Sequence, residues 1–167
     1  FPYTTLFRSY TAALYKVKGD TARELQALLS LARADSADAG TIGQVISSLA
    51  IEHRIKAALP LLKSMLDRNP GDTNALRLAF LVYTTAEDWQ SVADVGTALV
   101  KVDTTAIDSV YFTRMATAYD KLKQPQAATD MLTQATAKYP NNGYFWLYYA
   151  NELQQSNQNQ EAIDTYR

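Results

Sequence analysis

Few side chains in this sequence could do chemistry. The single histidine, His53, sits in Ile-Glu-His-Arg. An imidazole could serve as a general base or a metal ligand. It has no second histidine, no cysteine and no flanking ligand spacing, so it reads as a polar turn residue. A hydrolytic triad would have to use His53 alone, because no serine has another imidazole to call on. The six glycines form no phosphate-binding loop. Asp67, Asp72, Asp88 and Asp103 fall where helices should begin or end, which is where capping places carboxylates. Arg77 and Arg114 could grip an acidic group or a carboxylate with a bidentate fork. No catalytic residue, cofactor site or metal site is expected, and the chain does not read as an enzyme.

Bulk composition narrows the classes further. Lys and Arg number 16 and Asp and Glu 17, so no charge excess points to nucleic acid or an anionic membrane. No apolar run approaches the roughly 18 residues of a membrane span. Cysteine is absent, which excludes disulfides and thiolate metal sites. Cysteine-free proteins occur on both sides of a bacterial membrane, so the compartment stays open. Residues 1–9 match, residue by residue, the in-frame translation of a common sequencing adapter. They are expected to be an artefact of a metagenomic open reading frame, with the natural N-terminus missing.

The elements that carry these side chains follow from a repeat. Trp146, Tyr149, Ala150, Leu153, Ala162 and Tyr166 form an apolar series. Thirty-four residues earlier stand Phe112, Met115, Ala116, Tyr119, Ala128 and Leu132. Size class is kept throughout, including both alanines. Leu76, Ala79, Phe80 and Tyr83 hold the same places, followed by a two-residue insertion. Ile42, Val45, Ile46, Leu49, Ala58, Leu62 and Met65 repeat the series before Pro70. One further step reaches Ala12, Tyr15 and Gly19, then Leu28 and Leu31, with Glu24 replacing the small residue expected in the second helix. The apolar spacing of three and four predicts helices at 10–18, 21–34, 40–52, 55–68, 73–86, 89–102, 106–122, 125–138, 143–155 and 159–167. Pro125 suits a first helical turn. Asn-Pro-Gly-Asp at 69–72 and Tyr-Pro-Asn-Asn at 139–142 are turn chemistry, with Asp72 and Asn142 as caps.

A 34-residue helix–turn–helix unit with an aromatic opening and a closing proline resembles the tetratricopeptide repeat (TPR). Phe112 and Trp146 match the family's large early residue. Ala116, Ala150, Ala128 and Ala162 match its small positions. Tyr83, Tyr119 and Leu153 match its later first-helix position, and Ala135 and Pro140 match its close. The resemblance is clearest over 109–167 and fainter over 10–38 and 73–108, where Leu99 or Val100 replaces a small residue and no proline closes the unit. It implies an all-α, right-handed superhelical solenoid of antiparallel helix pairs. The expected organisation is one array over 10–167, with units at about 5–38, 39–72, 73–108, 109–142 and 143–167, the first and last incomplete.

Such arrays line their concave face with first helices. That places Asn74, Arg77, Thr113, Arg114, Thr117, Tyr144, Tyr148 and Asn151 in a candidate groove. The family's Lys–Asn clamp for terminal carboxylates is not reproduced: the corresponding places hold Arg77 and Leu81, Thr113 and Thr117, Leu147 and Asn151. Of the eleven tyrosines, Tyr119, Tyr149 and Tyr166 read as packing, whereas Tyr144 and Tyr148 lie on another stripe as candidate aromatic anchors. The seven Asn and Gln residues within 151–160 read as a soluble helix end and turn. The expected function is a protein–protein interaction scaffold that holds a peptide or partner subunit. The alternatives are a docking or regulatory region of a larger enzyme and a self-assembling array. Uncapped ends predict self-association.

Overall fold

The structure, a computed structural model, describes residues 2–33 and 39–166. Among them are ten α-helices. They are α1 (Pro2–Val17), α2 (Thr21–Ala32), α3 (Ala39–Ile51), α4 (Ile55–Arg68), α5 (Thr73–Thr85), α6 (Trp89–Val102), α7 (Ser109–Lys121), α8 (Pro125–Lys138), α9 (Gly143–Gln155) and α10 (Asn159–Tyr166). No strand occurs among the described residues. The ends of the helices expected over 21–34 and 159–167 lie outside the described residues. Two compact units divide the chain, Phe1–Ala86 and Glu87–Arg167.

In the first unit α1 packs on α2, α2 on α3, and α3 and α4 on α5. Its core is the apolar series read from the sequence: Ile42, Val45, Ile46, Leu49, Ala58, Leu62 and Met65 are all buried, as are Leu76, Ala79 and Phe80. In the second unit each helix from α6 to α10 packs on the next. Val92, Leu99, Phe112, Met115, Ala116, Ala128, Leu132, Ala135, Ala150, Leu153 and Ala162 form the buried face. Alanines at these places let the paired helix axes approach closely. Tyr111, Phe112, Tyr139 and Phe145 add edge-on and tilted ring contacts where α7, the end of α8 and the start of α9 meet. Burial pushes the Tyr111 hydroxyl pKa up to about 12.

Local chemistry sets the joints. Asp72 accepts from the Ala75 N–H at 2.7 Å and Asn142 from the Tyr144 N–H at 3.1 Å, as their positions predict. Asp20, Asp88 and Asp108 cap α2, α6 and α7 in the same way. The turn inside each helix pair is closed by one residue with positive φ: Gly19, His53, Glu87, Lys123 and Asn157, with φ between 56° and 70°. Their numbers step by 34, 34, 36 and 34. The flanking bonds repeat as well: the N–H of residue 20 reaches the carbonyl of 15, that of 54 reaches 49, that of 124 reaches 119 and that of 158 reaches 153. This is the Schellman closure of a helix by a left-handed residue.

Three expectations need correction. The first helix begins at Pro2, not at residue 10, since proline is preformed for a first helical turn. The helix expected over 106–122 begins at Ser109. The two inserted residues of that joint are absorbed by a single 3-10 turn at Thr104–Ala106, capped by Asp103, after which Asp108 restarts the α-helix. Trp146 and Tyr166, expected in the core, are 37% and 51% exposed. Phe112, one repeat before Trp146, is sealed by the rings of Tyr139 and Phe145, and the places one repeat beyond those two rings fall past residue 167. Trp146 instead donates its indole N–H to the Pro140 carbonyl at 2.8 Å.

Glu24, the departure from the repeat series, has a structural reason. It occupies the place that later units give to Ala58, Val92, Ala128 and Ala162, yet it is buried. Its carboxylate is 3.0 Å from the Arg54 guanidinium, which also donates to the Thr21 carbonyl and lies 3.3 Å from Glu52. Lys16 of α1 completes the chain of charges, 2.6 Å from Glu52. The odd residue of the first repeat is thus a partner in an ion network that joins α1, α2 and the turn between α3 and α4.

Candidate functional site

The eight groove candidates divide between the units. Asn74 and Arg77 belong to the first; Thr113, Arg114, Thr117, Tyr144, Tyr148 and Asn151 belong to the second. The result is two surfaces, each built within its own unit from neighbouring first helices.

In the second unit, residues three and four apart on α7 and α9 point the same way. Thr113, Arg114 and Tyr144 share the wall of a pocket of about 320 Å³, with Val110 and Asn142 at its edge. Tyr144 is exposed, and its ring lies 6.0 Å from that of Tyr148. Burial raises the pKa of the Tyr148 hydroxyl, and the neighbouring Thr117 works the other way. The threonines donate their own hydroxyl protons down the helix, Thr113 to the Ser109 carbonyl at 2.9 Å and Thr117 to Thr113 at 2.8 Å. Burial lowers the pKa of the Arg114 guanidinium, while the Asp108 carboxylate pulls it back up. An arginine starts so high that it stays charged. Asn151 is engaged internally, its side-chain oxygen accepting from the Tyr166 hydroxyl at 2.6 Å. Glu152 is buried on α9. Burial raises its pKa first, Asp120 adds to the rise, and Lys123 opposes it.

In the first unit, Asn74 and Arg77 of α5 stand over an open groove of about 580 Å³ against α3. The α3 wall includes Gly40, Gly43, Ser47 and Ile51. These α3 residues are absent from the sequence-based list. One repeat spacing back from Asn74, Arg77 and Leu81 leads to Gly40, Gly43 and Ser47, so the 34-residue offset would have found them. A β-carbon on Gly43 would stand 3.2 Å from a Leu78 methyl, which marks how closely α3 and α5 approach.

His53 is an exposed turn residue in left-handed conformation, one of the five equivalent joints. No group of three or more His, Cys, Asp or Glu residues that could hold a metal ion occurs among the described residues. None of the described helices is long and apolar enough to cross a membrane.

No family model matches the sequence, and no curated protein matches it. Solved structures do match. A crystal structure of MamA protein superposes with a TM-score of 0.80, covering 99% of this chain and 90% of its own at 13% identity. MamA from AMB-1 gives 0.78, covering 99% and 90% at 16% identity. MamA from residue 41 to the end, from Desulfovibrio magneticus RS-1, gives 0.75, covering 97% and 90% at 15% identity. The fold is the TPR-like helical-repeat solenoid of MamA. Identities this low carry the fold and nothing finer. TPR-type folds in general mediate protein–protein interaction, and function resides in the side chains that a fold displays.

Proposed function

We propose that this chain is a protein–protein interaction scaffold, taking a peptide or a partner subunit on the faces of its first helices. The observation that carries the reading is the meeting of Thr113, Arg114 and Tyr144 around one pocket, beside the ring of Tyr148. Arginine and tyrosine are the residues in which binding energy concentrates, since each combines a large apolar area with a directional polar end. Arg77 and Asn74 offer a second cationic contact over the α3–α5 groove. A guanidinium at each surface favours a partner with carboxylate groups.

The test is a peptide-library screen against the whole chain, repeated with Arg114→Ala and Arg77→Ala. Peptides selected by the wild-type chain should carry acidic residues. They should lose about tenfold in affinity or more, roughly 1.4 kcal/mol, on at least one variant. Selected peptides that bind both variants as tightly as the wild type would remove this assignment.

A further inference from the structure

We infer that the link between Asn142 and Gly143 is a site of spontaneous modification, at which Asn142 loses its side-chain amide and becomes an aspartyl or isoaspartyl residue inside the Arg114 pocket. The sequence places the reactants. A backbone nitrogen can attack the side-chain carbonyl of the asparagine before it, closing a succinimide ring, and a glycine next in line leaves that nitrogen unshielded. Of the seven asparagines, only Asn142 is followed by glycine. The structure keeps the approach open. Gly143 is exposed, and a β-carbon built on it would meet no atom within 4 Å. As the first residue of α9, its N–H has no carbonyl one turn back to bond. No hydrogen bond from that N–H occurs among the described residues. The side-chain nitrogen of Asn142, the leaving group, is equally unbonded among the described residues, and the amide is held only through its oxygen.

The repeat shows what sets this cap apart. Asp108 stands one unit back and Asp72 one unit before that. Each accepts from the N–H three residues on at 2.7 Å. Asn142 accepts from the N–H two residues on, at 3.1 Å, and a neutral oxygen holds an amide less firmly than a carboxylate does. Asn142 has ψ 93°, so the Gly143 nitrogen reaches the side-chain carbon only when that torsion swings and the cap opens, and the weaker bond makes the opening easier. The Gly143 nitrogen then bonds to Cγ as the Cγ–Nδ2 bond breaks, and ammonia leaves with the proton given up by the Gly143 N–H. Water opens the succinimide. Addition at Cγ gives aspartate with an ordinary main chain. Addition at the backbone carbonyl of residue 142 gives isoaspartate, whose main chain runs through the side-chain carbons. The first product supplies α9 with the charged cap that α5 and α7 already have, favourable at a helix N-terminus. It also sets a carboxylate in the pocket lined by Asn142, Thr113, Arg114 and Tyr144, where it competes with an acidic partner for the guanidinium.

The test is peptide mapping by mass spectrometry of the whole folded chain, incubated for days in mildly alkaline buffer, with a urea-unfolded sample as the reference for the unhindered reaction. The folded chain should show amide-to-acid conversion at Asn142 ahead of every other asparagine. Conversion should be slower in mildly acidic buffer, because the attacking nitrogen must shed its proton. Gly143→Ala, whose methyl meets open space in the fold, should largely abolish it. Asn142 left intact in the folded chain after the unfolded sample has converted overturns the inference, as does conversion of Gly143→Ala at the wild-type rate. Asn142→Asp isolates the consequence for the pocket. It should bind acidic peptides about two- to fivefold more weakly than the wild type, the scale of an exposed charge contact. Equal binding of peptides that lose affinity on Arg114→Ala overturns that consequence. The covalent readout needs no partner, so its failure and the failure of the scaffold reading are separable results.

Discussion

At the scale of single residues, the turn closures are the clearest place where side-chain type and backbone shape disagree. His53, Glu87, Lys123 and Asn157 all hold φ near +60°. A β-carbon there crowds the following carbonyl, at about 1–2 kcal/mol for a residue other than glycine or asparagine. The first joint has Gly19 in the same place. Lys123→Gly should therefore raise stability by roughly 0.5–1 kcal/mol, relief of the crowding being partly offset by the freer unfolded chain. Gly19→Ala should lower it by about 1 kcal/mol. Urea titrations of the two variants check both signs; a destabilised Lys123→Gly would mean that the lysine side chain contributes more at that turn than its exposure suggests. His53 shows how such a position reads from sequence. Its place in a turn was legible from its neighbours. The left-handed backbone was not, because only a glycine at that step announces it.

At the scale of elements, the helix ends were written locally. Asp72, Asn142 and Pro125 act within three residues of themselves, so spacing alone located them. The 3-10 turn at Thr104–Ala106 was legible only as a two-residue excess, since three residues carry no apolar period. Glu24 was legible only as an exception, because its explanation stands thirty residues away at Arg54. That pair has a measurable consequence. Arg54→Met leaves a buried carboxylate without its cation, and should cost about 2 kcal/mol. Adding Glu24→Ala installs the alanine that Ala58, Ala128 and Ala162 represent elsewhere, and should recover most of the loss. Denaturant midpoints of the two single variants and the double variant measure the coupling; independent, additive losses would show that the network carries no joint stabilisation. The candidate site divides along the same line. Placement of Arg114 and Tyr144 on neighbouring first helices was legible, because helical period decides it. The small-residue wall of α3 was not, because Gly40, Gly43 and Ser47 carry no chemistry of their own.

At the scale of the whole molecule, stability in a repeat chain is close to a sum of unit terms and nearest-neighbour interfaces. Helices with a neighbour on both sides, such as α3 and α8, should open last. Helices with a bare outer face, α1 and α10, should open first. Amide hydrogen exchange should rank protection in that order within each unit. Protection of α10 equal to that of α8 would contradict the nearest-neighbour picture. The same accounting explains why Trp146 and Tyr166 misled a reading by series: a position in the repeat promises burial only when the next unit's atoms arrive to provide it.

The five turn closures have one more consequence. Across them the chain places a bare hydrogen, an imidazole, a carboxylate, an ammonium and an amide on one backbone shape, and all five are exposed. Conformation there belongs to the address and not to the occupant. The four hairpins whose closure bears a side chain therefore carry a mounting point where dyes, tethers or crosslinkers can be attached without disturbing how the hairpins grip one another.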